Sequence, residues 1–164
     1  RLRFLQVRTM IHHINNERTE MKRGFSAIGL DRCKNKENLG SVLRAAQCYG
    51  ASLVVLSGGR MGKYATDTMR AYKHMPCIEH HSVIDAVPYG AIPVVVELCD
   101  RARPIKNFVH PESAYFIFGP EDGSVLKSII DSAPIVIQIP TNFCMNLAAT
   151  VNVVLFDRMM KGMK

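Results

Sequence analysis

Residues 113–124 read Ser-Ala-Tyr-Phe-Ile-Phe-Gly-Pro-Glu-Asp-Gly-Ser, and this stretch decides the fold class. Ser113–Phe118 carries no charge, which is typical of a buried strand. Gly119-Pro120 then predicts a turn. Glu121 and Asp122 come where a helix over Asp122–Ser132 is expected to start, and the helix dipole favours carboxylates in a first turn. The stretch therefore predicts a strand, a turn and a helix in immediate succession.

The same signature recurs along the chain. Ile92–Leu98 and Ile135–Ile139 are continuous apolar runs, typical of strands buried on both faces. Strands alternate with helices, which predicts an α/β fold with a mostly parallel sheet flanked by helices. The other predicted elements are an amphipathic helix over residues 7–23, strands Ser26–Leu30, Ser52–Leu56 and Cys77–His80, a helix capped by Asn38 that ends at Gly50, and a closing helix over Cys144–Lys161.

The composition fits one globular domain over residues 1–164, with a leading helix within 1–24 and the core in 25–164. The chain has 164 residues, of which 48% are hydrophobic, and this apolar content excludes intrinsic disorder. The formal net charge is +7. A basic surplus of this size favours an anionic partner, with nucleic acid as the first candidate.

Membrane insertion and secretion are not indicated. The most apolar stretch, Phe143–Phe156, is interrupted by Asn146 and Asn152 and is shorter than the ~20 residues that span a bilayer. The N-terminal residues do not form a signal peptide, although a first residue Arg1 leaves open whether residues precede it. The five cysteines form no CxxC pair. These features predict a cytoplasmic protein with reduced thiols.

Three common site types are excluded. Residues 58–64, Gly-Gly-Arg-Met-Gly-Lys-Tyr, resemble a P-loop, but the glycine spacing is wrong and Tyr64 offers no Ser/Thr hydroxyl for magnesium. No GxGxxG follows a strand, which excludes a Rossmann dinucleotide site. The pairs His12-His13 and His80-His81 lack a surrounding ligand cluster, so no metal site is predicted.

Three segments carry candidate chemistry. Asn38 and a helix start follow a strand end, where parallel α/β sheets place ligands, and Arg44 lies further along that helix. Without other information, this is equally a capped helix with a solvated arginine. Gly119 permits a close backbone approach to a ligand. Asn146 enters an apolar helix, either as a hydrogen-bonded core residue or as an anchor for a substrate or loop.

Together these segments resemble the motifs of the SPOUT superfamily in its SpoU/TrmH branch, which are S-adenosylmethionine-dependent RNA ribose methyltransferases. The motifs occur in the family's order and cover Ser26 to Lys161. The family pattern Asn-x-Gly-x-x-x-Arg is met by Asn38, Gly40 and Arg44, the pattern Gly-x-Glu followed by Gly is met by Gly119, Glu121 and Gly123, and the third motif is met by Ile139-Pro140 and Cys144-Met145-Asn146-Leu147.

The chain departs from the family pattern at three points. Its second motif is one residue tighter than Gly-x-Glu-x-x-Gly. The loop between Pro140 and Cys144 has three residues and is shorter than is usual in the family. Cys144 stands where many members have serine, so a role that depends on a hydroxyl is not expected there. The chain resembles a minimal, single-domain member.

The resemblance implies roles for the motif residues. Arg44 is the implied catalytic residue, and because a guanidinium stays protonated we expect it to orient the ribose hydroxyl and its phosphate. Asn38, Glu121 and Asn146 would position the substrate. S-adenosylmethionine would lie among three loops, with Ile139, Met145 and Leu147 around the adenine. The implied cofactor-binding residues are Val96, Glu97, Leu98, Phe118, Gly119, Pro120, Ile139, Pro140, Cys144, Met145 and Leu147.

The resemblance also implies a deep trefoil knot near the C-terminus, a homodimer, and an RNA substrate, with tRNA favoured over rRNA. The basic residues nearest the first motif, Arg32, Lys34 and Lys36, are the expected phosphate contacts. Two alternatives remain: a SPOUT-like protein that binds RNA without catalysis, and a methyltransferase directed at a base or at rRNA. Further basic residues that could contact RNA are Arg8, Arg18, Lys22, Arg23, Arg60, Lys63, Arg70 and Lys73.

Overall fold

The computed structural model describes residues 24–58 and 70–162, and its centre is a parallel β-sheet. The strand order is β3-β2-β1-β6-β4-β7-β5, and the pairings within the described residues are parallel. The predicted α/β class is therefore confirmed. The strands are β1 Ser26–Leu30, β2 Leu53–Leu56, β3 Cys77–Glu79, β4 Ile92–Val96, β5 Arg103–Pro104, β6 Ala114–Phe118 and β7 Ile135–Gln138.

The register of the central strands aligns their carboxyl ends. Leu30 of β1 and Val96 of β4 both pair with Phe118 of β6, and Val96 also pairs with Ile137 of β7. The loops that follow these four strands consequently leave the sheet at one level and on one edge. In open parallel sheets this is the edge where ligands bind.

Within the described residues, three helices cover the two faces of the sheet: α1 Lys36–Cys48, α2 Lys127–Ser132 and α3 Leu147–Gly162. α1 and α3 pack against each other, and their apolar faces share one buried cluster with the sheet. α2 contributes Ile129 to a second buried cluster. Strands covered on both faces explain the uninterrupted apolar runs in the sequence.

α1 begins earlier than the sequence predicts. Asn35, and not Asn38, is its N-cap, because the Asn35 side chain accepts hydrogen bonds from Glu37 N at 2.7 Å and Asn38 N at 3.4 Å. Both asparagines are good caps by type. Lys36 and Glu37 continue the helix, and Glu37 lies in its favoured first turn. Asn38 is thereby left free for another role.

The other two helices begin later than predicted. The helix expected over Asp122–Ser132 spans only Lys127–Ser132. The cause is that the amides of Val125 and Leu126 bond to the Glu97 and Asp31 carboxylates. The closing helix begins at Leu147 and not at Cys144, so Asn146 is an exposed residue at its start and not a residue inside an apolar helix.

The two-residue edge strand β5 and the 3₁₀ turn Ile105–Asn107 were not predicted from the sequence. No helix in the described ranges is long and apolar enough to cross a membrane. The predicted helix over 7–23, His12-His13 and most of the P-loop-like stretch 58–64 lie outside those ranges, as do the basic residues of positions 1–23 and 59–69. The trefoil knot stays a prediction from the family resemblance.

Candidate active site

A cavity of about 430 Å³ opens at the carboxyl ends of β4, β6 and β7. Ten of the eleven residues that the resemblance assigned to the cofactor line it: Val96, Glu97, Leu98, Phe118, Gly119, Pro120, Ile139, Cys144, Met145 and Leu147. Pro140 lies in the same loop but is exposed and is not among the lining residues. The loops named from the motifs therefore surround one cavity, and their role in cofactor binding stays a prediction.

Sequence reasoning missed other residues of the cavity wall. Most directly adjoin the predicted ones, so extending each loop by a few residues would have found them. Thr150 is different, since it lies one helical turn after Leu147 and shares its face of α3. The missed lining residues are Asp122, Gly123, Ser124, Gln138, Thr141 and Thr150, with Glu121 also lining the cavity.

Glu121 is the point where the first two motifs meet. Its Oε1 accepts hydrogen bonds from Asn38 Nδ2 at 3.0 Å and from Asn35 N at 3.2 Å. Its Oε2 accepts from Lys34 N at 3.2 Å. The Cys33 thiol donates to Oε1 at 3.4 Å. A single carboxylate therefore holds the loop between β1 and α1 against the turn after β6.

The charges of this cluster follow from its donors. Partial burial opposes ionisation of Glu121, but the hydrogen bonds from Asn38 and the Lys34 amide lower the pKa of this carboxyl below its ordinary value. Burial, together with the neighbouring Glu121 charge, raises the pKa of the Cys33 thiol to about 12. At neutral pH the cluster thus holds an anionic Glu121 and a protonated Cys33.

Asn38 joins this cluster to the third motif. Its Oδ1 accepts a hydrogen bond from Asn146 Nδ2 at 2.8 Å. Asn146 Oδ1 accepts in turn from the amides of Ala148 at 2.8 Å and Ala149 at 3.3 Å, which is the geometry of an N-cap. The three predicted positioning residues therefore form one chain, Glu121–Asn38–Asn146, across residues far apart in sequence. We call this chain the amide link.

Arg44 lies on the exposed side of α1 and is not among the residues that line the cavity. Its helix is nevertheless tied to the cavity wall, because Asn38 in the first turn of α1 belongs to the amide link. The structure thus places the predicted catalytic arginine on an element whose position is fixed by the loops around the cavity.

The three cations expected to contact RNA have different surroundings. Lys34 is exposed and pairs with Asp122 at 2.9 Å, an exposed ion pair of the kind that contributes little to stability. Lys36 is exposed. Arg32 is less exposed, because its guanidinium bonds to the Asp31 carboxylate and to the Ser124 carbonyl.

Gly119 is needed for packing inside the wall. A Cβ at this position would lie 2.8 Å from Val125 N and 3.2 Å from Ser124 C. The missing side chain thus lets the chain fold back on itself at residues 119–125. Gly123, by contrast, has room, since its Cβ would meet only Pro120 Cγ at 3.6 Å.

Among the described residues, no group of three His, Cys, Asp or Glu side chains is placed to hold a metal ion.

The chain is similar to proteins of known family and structure. The model of the SpoU rRNA Methylase family matches residues 26–156. No curated protein sequence matches the chain.

Solved structures share the fold. The chain is 21% identical to an AdoMet-bound rRNA methyltransferase from Sinorhizobium meliloti, with a TM-score of 0.71 over 85% of this chain and 57% of that one. The TrmH/SpoU tRNA modifying enzyme of A. aeolicus is 14% identical, with a TM-score of 0.76 over 93% of this chain and 84% of that one. A structure reported for the 2-OH methylation of C/U34 on tRNA is 20% identical, with a TM-score of 0.72 over 85% and 97%. The chain thus spans less than three fifths of the S. meliloti protein.

Proposed function

This chain belongs to the SpoU rRNA methylase family, and we propose that it transfers a methyl group from S-adenosylmethionine to a ribose 2′-hydroxyl of tRNA. The observation that carries this proposal is the amide link. It joins the residues of all three motifs around one cavity at the ligand-binding edge of a parallel sheet. A protein that kept only the fold would not need to keep this constellation of polar side chains.

The cavity suits the proposed cofactor in size and in chemistry. Its volume of about 430 Å³ lies within the usual range of small-molecule sites. Ile139, Met145 and Leu147 offer apolar surface for a purine, while the strand ends offer backbone amides and carbonyls. The anionic Glu121 suits a ligand that carries a positive charge. S-adenosylmethionine supplies an activated methyl group on a cationic sulfur.

The protein's part in the chemistry would be mainly positioning. The 2′-hydroxyl oxygen must approach the methyl carbon in line with the breaking carbon–sulfur bond, and holding that geometry lowers the barrier. Arg44 would orient the hydroxyl and the adjacent phosphate as a permanently charged, forked donor. The amide link would keep α1, and hence Arg44, in register with the cavity wall.

An RNA substrate also accounts for the charge of the chain. The net charge of +7 and the exposed Lys34 and Lys36 suit phosphate contacts near the cavity. tRNA is favoured by the match that extends over 97% of the structure reported for tRNA methylation. rRNA is the alternative substrate, supported by the family's description and by the S. meliloti structure.

We further propose a homodimer. α3 presents a stripe of apolar side chains outside the core, with Phe156 48% and Met160 51% exposed. Tyr49 at the end of α1 extends the stripe, since its ring lies edge-on to Phe156 with 6.5 Å between centroids. A second copy would cover this surface, and the family resemblance implies the same assembly.

Calorimetric titration with S-adenosylhomocysteine, the demethylated cofactor, tests the cavity. We expect binding in the micromolar range by the folded protein in the absence of RNA. A folded sample that does not bind it would contradict the cofactor assignment and would favour a protein that binds RNA without catalysis.

Replacing Arg44 tests the assignment of the reacting centre. We expect Arg44→Ala to abolish methyl transfer while leaving S-adenosylhomocysteine affinity unchanged, because Arg44 does not line the cavity. Gln47→Ala, on an exposed position of the same helix, should retain both properties. Methyl transfer at the wild-type rate by Arg44→Ala would rule out the proposed role.

A further inference from the structure

Asp31 is a buried carboxylate at the end of β1 that the proposed reaction does not use. It is 2% exposed, and a buried carboxylate is costly unless hydrogen bonds surround it. Its Oδ1 accepts from Ser57 Oγ at 3.2 Å. Its Oδ2 accepts from Arg32 Nε at 3.2 Å, Arg32 Nη2 at 3.1 Å and Leu126 N at 3.2 Å. Asp31 therefore joins the ends of β1 and β2 to the segment that follows β6.

Arg32 is held beside Asp31 by its own backbone and by its neighbours. Its φ is +54°, in the left-handed region that a non-glycine residue rarely adopts. Its amide donates to Ser57 Oγ at 3.3 Å. Gly58 leaves room for its side chain, since a Cβ there would lie 2.9 Å from Arg32 Cγ. The guanidinium is thus directed along the protein surface to Ser124, whose carbonyl accepts from Nη2 at 2.8 Å.

These contacts fix three consecutive residues, 124–126, of which Ser124 lines the cavity. The Ser124 carbonyl is held by Arg32 and the Leu126 amide by Asp31. Between them, the Val125 amide donates to Glu97 Oε2 at 2.8 Å. Glu97 and Ser124 themselves line the cavity. Residues 121–126 lie in no helix or strand, so these side chains determine where this part of the wall lies.

We infer that the Asp31–Arg32 pair positions the cavity wall for the cofactor, and that Arg32 is a positioning residue and not a contact to RNA phosphate. The inference rests on the proposed function. An arginine is suited to this role because Nε and Nη2 both contact the Asp31 carboxylate while Nη2 also reaches the Ser124 carbonyl, and the single nitrogen of a lysine does not reproduce this planar geometry. The pair would act on the cofactor through Ser124, since Arg32 itself is not among the residues that line the cavity.

Arg32→Lys separates the two roles, since lysine keeps the charge but loses the fork. S-adenosylhomocysteine is titrated into wild type and variant without RNA, and tRNA binding is measured separately. We expect cofactor affinity to fall about tenfold, as for the loss of a charge-assisted hydrogen bond, while tRNA affinity of the cofactor-free protein is unchanged. Wild-type cofactor affinity in Arg32→Lys would overturn the inference, as would a loss confined to tRNA binding.

Arg101→Lys is the matched control. The Arg101 guanidinium also bonds to backbone carbonyls, those of Ile130 and Ala133 at the end of α2, away from the cavity. We expect Arg101→Lys to lower thermal stability without changing cofactor affinity. If Arg101→Lys lost as much cofactor affinity as Arg32→Lys, the effect would come from general destabilisation and the inference would be overturned. If Arg32→Lys does not fold, Ser57→Ala takes its place, with an expected loss of about threefold from one weaker hydrogen bond.

The wild-type titration separates this inference from the proposed function. No binding by the wild type would overturn the cofactor assignment and this inference with it. Binding by the wild type with unchanged affinity in both Arg32→Lys and Ser57→Ala would overturn the inference alone.

Discussion

Glu121 lies on an exposed turn, yet its carboxylate accepts hydrogen bonds from four different groups of the β1–α1 region. All four partners donate to the Glu121 carboxylate, and together they use both of its oxygens. A side chain with a single acceptor oxygen could not replace it. Because the folded-state pKa lies below the ordinary value of 4.5, the ionised carboxylate stabilises the fold above that value. This contribution is lost only as pH falls through the lowered pKa, so the cluster persists over the whole neutral range.

Of the two glycines in the cavity wall, Gly119 leaves less room for a side chain than Gly123. We expect Gly119→Ala to destabilise the protein by about 1–3 kcal/mol, as overpacking does, and to weaken S-adenosylhomocysteine binding by displacing residues 124–125. Urea unfolding and calorimetry measure the two effects. Gly123→Ala is the control, since its Cβ meets only ordinary van der Waals contact. Equal stability of the two variants would refute this account of the wall.

Two asparagines connect elements in this structure by capping helices. Asn35 begins α1 and Asn146 begins α3, and these helices pack together. Asn146 does two things at once, because its carbonyl oxygen caps α3 while its amide nitrogen reaches Asn38. The start of α3 is thereby coupled to the start of α1, next to the cavity-lining residues Glu121 and Leu147.

The two roles of Asn146 can be separated by mutation. Asn146→Asp keeps an acceptor at the cap but loses the donor to Asn38, so we expect near wild-type stability with methyl transfer reduced at least about tenfold. Asn146→Ala should lose the same activity and also about 1 kcal/mol of stability. Chemical unfolding and initial rates measure both. Full activity in Asn146→Asp would show that the amide link is dispensable.

α3 is also fixed at its far end, through His110. The His110 side chain is 4% exposed and lies 2.8 Å from Asp157 Oδ2, with Arg158 and Lys161 nearby on the same helix. Burial lowers its pKa below the ordinary 6.5, although Asp157 partly opposes the shift. The unfolded chain therefore takes up the proton first, so stability is complete above about pH 6.5 and falls as the pH drops below it.

Thermal unfolding between pH 8 and pH 5.5 measures this dependence. We expect the melting temperature of the wild type to fall across this interval, and His110→Gln to show a smaller fall because it cannot titrate. A His110→Gln profile parallel to the wild type would assign the acid sensitivity to other groups.

At the scale of the whole molecule, local patterns predicted the sheet better than they predicted the helix starts. β1 and β6 lie where apolar runs and turn residues indicated, because strands buried on both faces leave a strong signal. The start of α2 was shifted because side chains distant in sequence, Asp31 and Glu97, bind the amides of residues 125 and 126. Such contacts between loops have no local signature.

In the candidate site, too, features with a local sequence pattern were predicted and contacts between distant loops were not. The motifs located the loops around the cavity, and the amide link joins three residues that they named. The Asp31–Arg32 contacts were not predicted, since a buried carboxylate next to an arginine in sequence has no distinguishing pattern. Arg32 was instead interpreted as one of several exposed cations.

The apolar stripe of α3 leads to a prediction about assembly. We expect the wild type to be a dimer by light scattering and Phe156→Glu with Met160→Glu to be a folded monomer, because both side chains lie about half outside the core. Thr150→Glu, on the same helix but in the cavity wall, is the control and should leave the mass of the dimer unchanged. Glu substitutions on the stripe that leave the mass of a dimer unchanged would place the interface elsewhere.

Methyl transfer to a ribose hydroxyl can be tested directly by one measurement. The protein is incubated with tRNA and S-adenosylmethionine carrying a labelled methyl group, the RNA is digested to nucleosides, and these are identified by mass spectrometry. We expect label in 2′-O-methyl nucleosides with the wild type, and no label with Arg44→Ala. Label confined to base-methylated nucleosides, or no label from tRNA or rRNA in a sample that binds the cofactor, would contradict it.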